Sequence, residues 1–309
     1  MSWLCFANLI DSDGLKNMNT QEHMRQEQER PQNDTCAKRV PDFIGIGAEK
    51  AGTTWLWDQL SKHPDIAMPY PKELRYFAYR DYAPNMDLAA TSYLLKNKPE
   101  PGRAPVALLS AINELRCRFG TIEDYLNIFG ELPQKKVVGE ISPQYASLSI
   151  KSIQQIYGLR NKMIIIYIIR DPVERAISGA KMKLSEQNEE LSEDSIIKSA
   201  TGKLQTMLSD YKHVIDNYRV FFERENFKIF AFDDLKESPS KILRELCSSF
   251  KIEYKEDYFK RSQEKVFPGA KFQLSDQALR QIYQHHSKVY DDLMEEFPAL
   301  TAQWRSRYV

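Results

Sequence analysis

Residues 45–60 read G-I-G-A-E-K-A-G-T-T-W-L-W-D-Q-L and continue the short apolar run Phe43 to Ile46. A buried strand that enters a glycine-bearing loop and then an amphipathic helix gathers unpaired backbone N–H groups and the positive end of the helix dipole in one small space. That space suits an anion. Gly47 and Gly52 allow close backbone approach, Lys50 adds a full positive charge, and Thr53 and Thr54 add hydroxyl donors at the helix start. The usual nucleoside-triphosphate loop, G-x-x-x-x-G-K-[ST], puts lysine after its second glycine and a magnesium-binding hydroxyl after that. Here Thr53 follows Gly52 and the lysine lies inside the loop, so the spacing predicts a phosphate cradle without the magnesium seat.

Outward from this stretch, the pattern is strand, helix, strand, repeated. Met163 to Ile169 is a nearly continuous β-branched run, expected of a central parallel strand buried on both faces. Lys136 to Val138, ending at Gly139-Glu140, and Phe227 to Phe232 give further strands, and Ile66 to Met68 a brief one. The helix after the loop is expected to end near His63-Pro64, because the residue before proline is pushed out of the helical region. Thr121 caps a helix through Phe129, and Ser238 to Phe250 and Ser275 to Phe297 read as helices packed on the sheet. The fold class is therefore α/β, with a P-loop-type central parallel sheet flanked by helices. Ligands of such sheets bind beyond the carboxyl ends of the strands, where the Gly47 to Gly52 loop, Glu140 and Arg170 converge.

A chain of 309 residues, 42% hydrophobic, has material for one substantial core. Residues 1–39 are expected to form a mobile polar tail and 40–309 the domain, with Asp81 to Pro105 a long surface excursion. Lys plus Arg and Asp plus Glu both number 43, so no global charge recruits nucleic acid or an acidic membrane. The four cysteines, Cys5, Cys36, Cys117 and Cys247, have no paired or metal-ligand spacing with the five histidines, which points to reduced thiols in a cytosol. No run reaches the roughly 18 apolar residues of a membrane span. Acidic residues at Asp11 and Asp13 follow the apolar start, which argues against a signal peptide. The expectation is a cytoplasmic chain with no membrane span.

The second anion site is I-I-R-D-P-V-E-R-A-I-S-G, Ile168 to Gly179. Arg170 leaves the central strand, Asp171 caps the next helix, Pro172 takes its first position and Ser178 lies about two turns in. An arginine fork and a serine hydroxyl hold a phosphate bidentately. The same residues also suit a plain capped helix with Arg170 in an ion pair.

The stretch Pro41 to Leu56, P-D-F-I-G-I-G-A-E-K-A-G-T-T-W-L, resembles the 5′-phosphosulfate loop of sulfotransferases that use 3′-phosphoadenosine 5′-phosphosulfate (PAPS), in the branch related to heparan-sulfate and bacterial enzymes. Ile168 to Gly179 resembles that family's 3′-phosphate segment. The resemblance covers about Pro41 to Trp304 and implies a PAPS-dependent sulfotransferase, transferring a sulfuryl group in line onto a hydroxyl, or as the lesser expectation an amine, with no metal required. It implies that Lys50 neutralises charge on the bridging oxygen, that Ala51, Gly52, Thr53 and Thr54 hold the 5′-phosphate, and that Trp55 packs on adenine. Arg170 and Ser178 would grip the 3′-phosphate.

Lys72-Glu73-Leu74-Arg75-Tyr76-Phe77 resembles the K-E-x-x-F-F segment, which makes Glu73 the candidate general base, helped if burial raises its pKa, and Lys72 a further charge on the sulfonate. Glu140-Ile-Ser-Pro-Gln-Tyr145 resembles E-K-[ST]-P-x-Y. Ile141 replaces a lysine there, which puts heparan-type acceptors in doubt, and Glu140 either serves the acceptor pocket or partners a cation under the loop. His63 most simply ends a helix. Lys265 and Lys271 match the family's basic C-terminal motif only weakly. Two rivals stand beside this reading: a P-loop kinase or NTPase, which requires Mg²⁺-dependent ATP or GTP binding, and a non-catalytic nucleotide-binding protein on the same fold. The acceptor, small molecule or glycan, and the oligomeric state are not encoded in any motif.

Overall fold

The computed structural model describes residues 38–70, 72–82, 120–259, 262 and 272–309. The elements run β1 (Phe43–Gly47), α1 (Thr53–Lys62), β2 (Ile66–Ala67), α2 (Tyr76–Tyr82), α3 (Ile122–Glu131), β3 (Val137–Ile141), α4 (Ile150–Leu159), β4 (Ile164–Ile169) and α5 (Pro172–Glu186). They continue with α6 (Glu193–Ala200), α7 (Lys203–Leu208), α8 (Tyr211–Arg219), β5 (Phe227–Ala231), α9 (Phe232–Glu237), α10 (Pro239–Ser249), α11 (Asp276–Leu293) and α12 (Pro298–Arg305). The polar tail, the excursion beyond Tyr82, Lys265 and Lys271 fall outside the described residues, apart from Lys38 and Arg39.

Among the described residues the strands form one five-stranded sheet in the order β2-β3-β1-β4-β5, every pairing parallel. Strand β1, which delivers the loop, lies in the middle. All six side chains of β4, I-I-I-Y-I-I, are buried, as expected of a strand covered by helices on both faces. The central position of β1 carries the loop to the top of the sheet beside the end of β4.

The local rules read from the sequence fix most helix ends. Gly52 begins α1 in the left-handed region at φ 86°, and His63, ahead of Pro64, leaves it in extended conformation. Thr121 and Asp124 form a reciprocal capping box on α3. Asp171 caps α5, accepting from the N–H groups of Val173 and Glu174 at 3.0 and 3.3 Å, with Pro172 first in the helix.

Strand β5 ends at Ala231 with Phe232 opening α9, and α11 ends at Leu293, short of the expected Phe297; two further differences bear on the site. Strand β3 passes through Gly139 and Glu140 to Ile141, because Gly139 serves packing and not a turn: a Cβ there would lie 2.4 Å from the Phe43 ring. Asp81, expected to open the irregular excursion, instead closes α2. Its carboxylate accepts from the Ser149 N–H at 2.7 Å and from the Ser149 and Ser152 hydroxyls at 3.0 and 2.6 Å, tying α2 to the start of α4.

Gly139 supports a stability prediction. Phe43 is fully buried and stacked on Phe250 at 4.7 Å, so its ring has nowhere to retreat. Gly139→Ala is expected to cost about 1–3 kcal/mol, the usual cost of forcing an extra carbon into a packed core. The urea midpoint should fall accordingly, and an unchanged midpoint would show that β1 and β3 are less tightly seated than described.

Candidate active site at the ends of β1, β3 and β4

The loop from Gly47 to Gly52 turns through three residues at positive φ, Gly47 at 146°, Lys50 at 66° and Gly52 at 86°. Gly52 is required for space as well as φ. A Cβ there would meet Leu235 at 2.9 Å and Phe232 at 3.0 Å, so the loop lies close against α9. A bond from the Ala48 N–H to the Ile168 carbonyl of β4 at 2.8 Å and one within the loop from the Ala51 N–H to the Ala48 carbonyl at 3.2 Å fix its shape. No side chain caps α1, which leaves its first-turn N–H groups directed at whatever lies over the loop.

Four predicted residues gather here. The Lys72 ammonium donates to the Thr53 and Thr54 hydroxyls at 3.3 and 3.4 Å and to Glu73 Oε1 at 3.1 Å. The segment that carries Lys72 therefore folds over the mouth of the loop. The Lys50 ammonium rests on the Met182 sulfur of α5 at 3.4 Å, a weak acceptor. Burial lowers the pKa of both lysines, opposed by the carboxylates Glu49 and Glu73.

Arg170 leaves β4 and reaches across to the loop. Its Nη1 donates to the Lys50 carbonyl at 2.8 Å, its Nε and Nη2 donate to Glu174 Oε2 at 3.3 and 3.0 Å, and its guanidinium lies 4.5 Å from the centre of the Phe232 ring. The loop backbone and the arginine form one unit. Ser178 is half-buried on α5, downstream of this turn. Trp55 faces inward with the core, 9% exposed, and its indole N–H donates to the Ser262 carbonyl at 2.8 Å, bracing the first turn of α1 from beneath.

Glu73 departs from the sequence expectation in one respect. Burial does push its carboxyl upward, but the charges of Arg75 and Lys72, with hydrogen bonds from Arg75 and Gln144, outweigh that and bring it down to about 2. Arg75 Nε donates to Oε2 at 2.7 Å and Gln144 Nε2 to the same oxygen at 3.1 Å. The expected rise toward working pH does not occur, because the turn supplies two cations to one carboxylate. Glu73 and Arg75 both hold positive φ, 76° and 60°, a strained turn kept in place from behind.

Glu140 does the holding. It is 1% exposed and accepts from the hydroxyls of Tyr125 at 2.7 Å, Ser142 at 2.7 Å and Tyr145 at 3.0 Å, as well as from the Leu74 N–H. Burial raises its pKa, and these hydrogen bonds oppose the rise. In place of the cation allowed by the sequence reading, three hydroxyls and an amide surround it. Ser142 in turn accepts from the Arg75 N–H at 3.0 Å.

His63 is sealed in the fold. Its Nδ1 accepts from the Asp65 N–H at 3.0 Å and its Nε2 pairs with the Glu253 carbonyl at 2.8 Å, so both ring nitrogens are engaged where the helix ends. Among the described residues no cluster of three or more His, Cys, Asp or Glu could hold a metal ion.

Two features of the site were missed by the sequence reading. Arg175 on α5 is fully buried and, among the described residues, bonds neutral groups: Ser209 Oγ at 2.9 Å, Gln205 Oε1 at 3.1 Å and the Gln205 carbonyl at 2.6 Å. An arginine between Val173 and Ala176 on an apolar face was the available signal. The second is a clasp from the C-terminal helices. Asp171 accepts from Tyr290 at 2.9 Å, Tyr308 at 3.0 Å and Arg307 at 3.2 Å, and Arg307 also bonds Glu174 at 3.0 Å and Asp233 at 2.7 Å. The turn after Arg170 is thereby fixed from the far end of the chain.

A central parallel sheet whose middle strand ends in an uncapped anion loop, with an arginine from the neighbouring strand bonded to that loop, defines an α/β protein of the P-loop type. The model of the sulfotransferase family matches residues 41–256, well over half of the sequence. This chain belongs to that family. A stretch of 140 residues, 45% of the chain, is 30% identical to the membrane-associated sulfotransferase kil1 of Dictyostelium discoideum, and spans only 22% of that relative's length. The fold is similar to that of a solved sulfotransferase from Alicyclobacillus acidocaldarius, with a TM-score of 0.59 and 24% identity, covering 86% of this chain and 98% of the other. Helix α11 and the residues after α12, which supply the clasp, lie beyond the matched segment. Among the described residues no helix is long and apolar enough to cross a membrane.

Proposed function

We propose that the chain transfers a sulfuryl group from PAPS to a hydroxyl, with amines as the lesser expectation, of an acceptor that is a small molecule or a glycan. The observation that carries this reading is the bond from Arg170 to the Lys50 carbonyl, which brings the arginine that ends β4 against the loop that ends the adjacent strand β1, the two places where the reading puts its cationic grips. A nucleotide phosphorylated at both 5′ and 3′ positions fits such a pair, whereas a simple triphosphate needs only one. In this reading Ala51, Gly52, Thr53 and Thr54 cradle the 5′-phosphate through backbone and hydroxyl donors, and Arg170 with Ser178 takes the 3′-phosphate. Trp55, at the start of the helix that carries the cradle, packs on the adenine. Lys50 lies against the bridging oxygen, where negative charge grows as the sulfur–oxygen bond breaks, and Lys72 balances charge on the transferring group.

The rest is positioning. Glu140 fixes the strained turn that presents Lys72 and Glu73, and in this reading Glu73 is the carboxylate that takes the acceptor's proton. Incubation with ³⁵S-labelled PAPS and a panel of phenols, alcohols, glycans and amines tests the proposal. Transfer of label to a hydroxyl acceptor without added Mg²⁺ is expected. Binding of ATP in preference to 3′,5′-ADP, or label transferred to no acceptor, would overturn it in favour of an NTPase or a non-catalytic binding protein.

A further inference from the structure

The Arg170 guanidinium divides its donors between two partners. Its Nη1 holds the loop through the Lys50 carbonyl at 2.8 Å, while Nε and Nη2 both donate to one oxygen, Oε2 of Glu174 in the first turn of α5, at 3.3 and 3.0 Å. With Nη1 on the loop, the fork left for an anion is Nε and Nη2, and a phosphate held by two parallel bonds needs that fork. A 3′-phosphate taken by Arg170 must therefore displace the Glu174 carboxylate. The displaced carboxylate then stands beside a phosphate monoester that itself carries about −1.5 to −2 charges at neutral pH. Like charges so placed repel unless a second cation takes up the carboxylate.

Arg307, just after α12, is in place to do so. Its Nη1 donates to Glu174 Oε1 at 3.0 Å, the oxygen that Arg170 leaves unused, and to Asp171 Oδ2 at 3.2 Å, while its Nη2 donates to Asp233 Oδ1 at 2.7 Å. Asp233 is itself fixed by the Trp304 indole N–H at 2.9 Å, so Arg307 stays anchored whatever Glu174 does. Lys236 is a looser partner, 3.8 Å from Glu174 Oε2 with its side chain 46% exposed. Capping of α5 does not account for the bond to Glu174, because Asp171 already accepts from the Tyr290 and Tyr308 hydroxyls at 2.9 and 3.0 Å. The carboxylates Asp171, Glu174 and Asp233 are matched by the cations Arg170, Arg307 and Lys236, and removing Arg307 leaves one negative charge in excess beside the Arg170 fork.

Resting on the PAPS reading above, we propose that Arg307 is a positioning residue for the 3′-phosphate: it retains the Glu174 carboxylate when the Nε and Nη2 of Arg170 turn from Glu174 to the phosphate. Glu174 is the anion exchanged in this step, and Arg307 acts through it without touching the nucleotide. The exchange is needed only by a ligand with a 3′-phosphate. 5′-AMP, which has none, leaves Arg170 on Glu174 and does not draw on Arg307. The residues after α12 thus contribute to nucleotide selectivity from outside the anion loop.

The test is calorimetric binding of 3′,5′-ADP and of 5′-AMP at one ionic strength and about pH 7.5, where the 3′-phosphate is mostly doubly charged. It uses the full chain and its Arg307→Met, Arg307→Lys, Glu174→Gln and combined Arg307→Met, Glu174→Gln variants, each checked for folding by thermal unfolding. Arg307→Met is expected to weaken 3′,5′-ADP about 5- to 30-fold and 5′-AMP less than about twofold, a usual size for coupling between neighbouring groups. Arg307→Lys recovers part of the loss. Glu174→Gln alone tightens 3′,5′-ADP severalfold, and in the combined variant it brings binding back to within about threefold of Glu174→Gln itself. A clasp that served the fold alone would cost both nucleotides alike, and no change at Glu174 would relieve it. If Arg307→Met weakens both nucleotides equally, or neither, or if Glu174→Gln does not relieve its loss, the inference fails alone. Should Arg307→Met not fold, Glu174→Gln decides: tighter 3′,5′-ADP upholds the exchange, and unchanged or weaker binding overturns it. A parent chain with no preference for 3′,5′-ADP over 5′-AMP brings down the donor reading and this inference with it.

Discussion

Lys50→Ala is expected to abolish sulfuryl transfer, with a loss of at least about 10²- to 10³-fold in kcat, while the protein stays folded. Among the described residues the Lys50 ammonium hydrogen-bonds the Met182 sulfur alone, so its removal breaks no strong bond there. What the loop needs structurally from this position is its backbone, at φ 66°, and its carbonyl, which accepts from Arg170; alanine keeps both. The charge, by contrast, is held partly buried beside the cradle, where a cation acts on a developing anion far more strongly than in water. The check is turnover with labelled PAPS beside a far-UV circular dichroism spectrum. Full activity in the folded variant would remove Lys50 from the mechanism.

Arg170→Ala should weaken 3′,5′-ADP by roughly 10- to 100-fold, as expected for losing a charge-assisted phosphate contact, and 5′-AMP by much less. The comparison between nucleotides matters because Arg170 also supports the Lys50 carbonyl, and any loosening of the loop will cost both ligands alike. Only the excess loss for the 3′-phosphorylated nucleotide reports on the second grip. Glu174, which pairs with Arg170, is also bonded by Arg307 and lies 3.8 Å from Lys236, so its charge stays compensated if the arginine swings toward a phosphate. Calorimetry with both nucleotides decides the point, and equal losses would count against a 3′-phosphate role.

The parts of the site that were legible in sequence are those made by residues close together in the chain. The loop, its helix, and the Arg170-Asp171-Pro172 turn follow from glycine φ preference, capping and proline geometry, which act over four or five residues. The β-branched run of β4 announced a strand buried on both faces. The sign of the Glu73 shift was not legible, although Lys72 and Arg75 adjoin it in sequence. It depends on a turn at positive φ that directs both cations to one carboxylate, and on Gln144 arriving from beyond β3.

The same holds for Glu140, whose hydroxyl cage is drawn from α3, the end of β3 and the turn after it. It holds also for the clasp on Asp171, assembled from residues more than a hundred positions away. The amino-acid sequence by itself determined that this is a parallel α/β protein whose central strand runs through a glycine-bearing loop into a helix, because hydrophobic periodicity and turn chemistry are local. Only the tertiary structure decided which carboxylates are clamped and by which cations, because burial and charge are summed over neighbours that the chain brings together from distant positions.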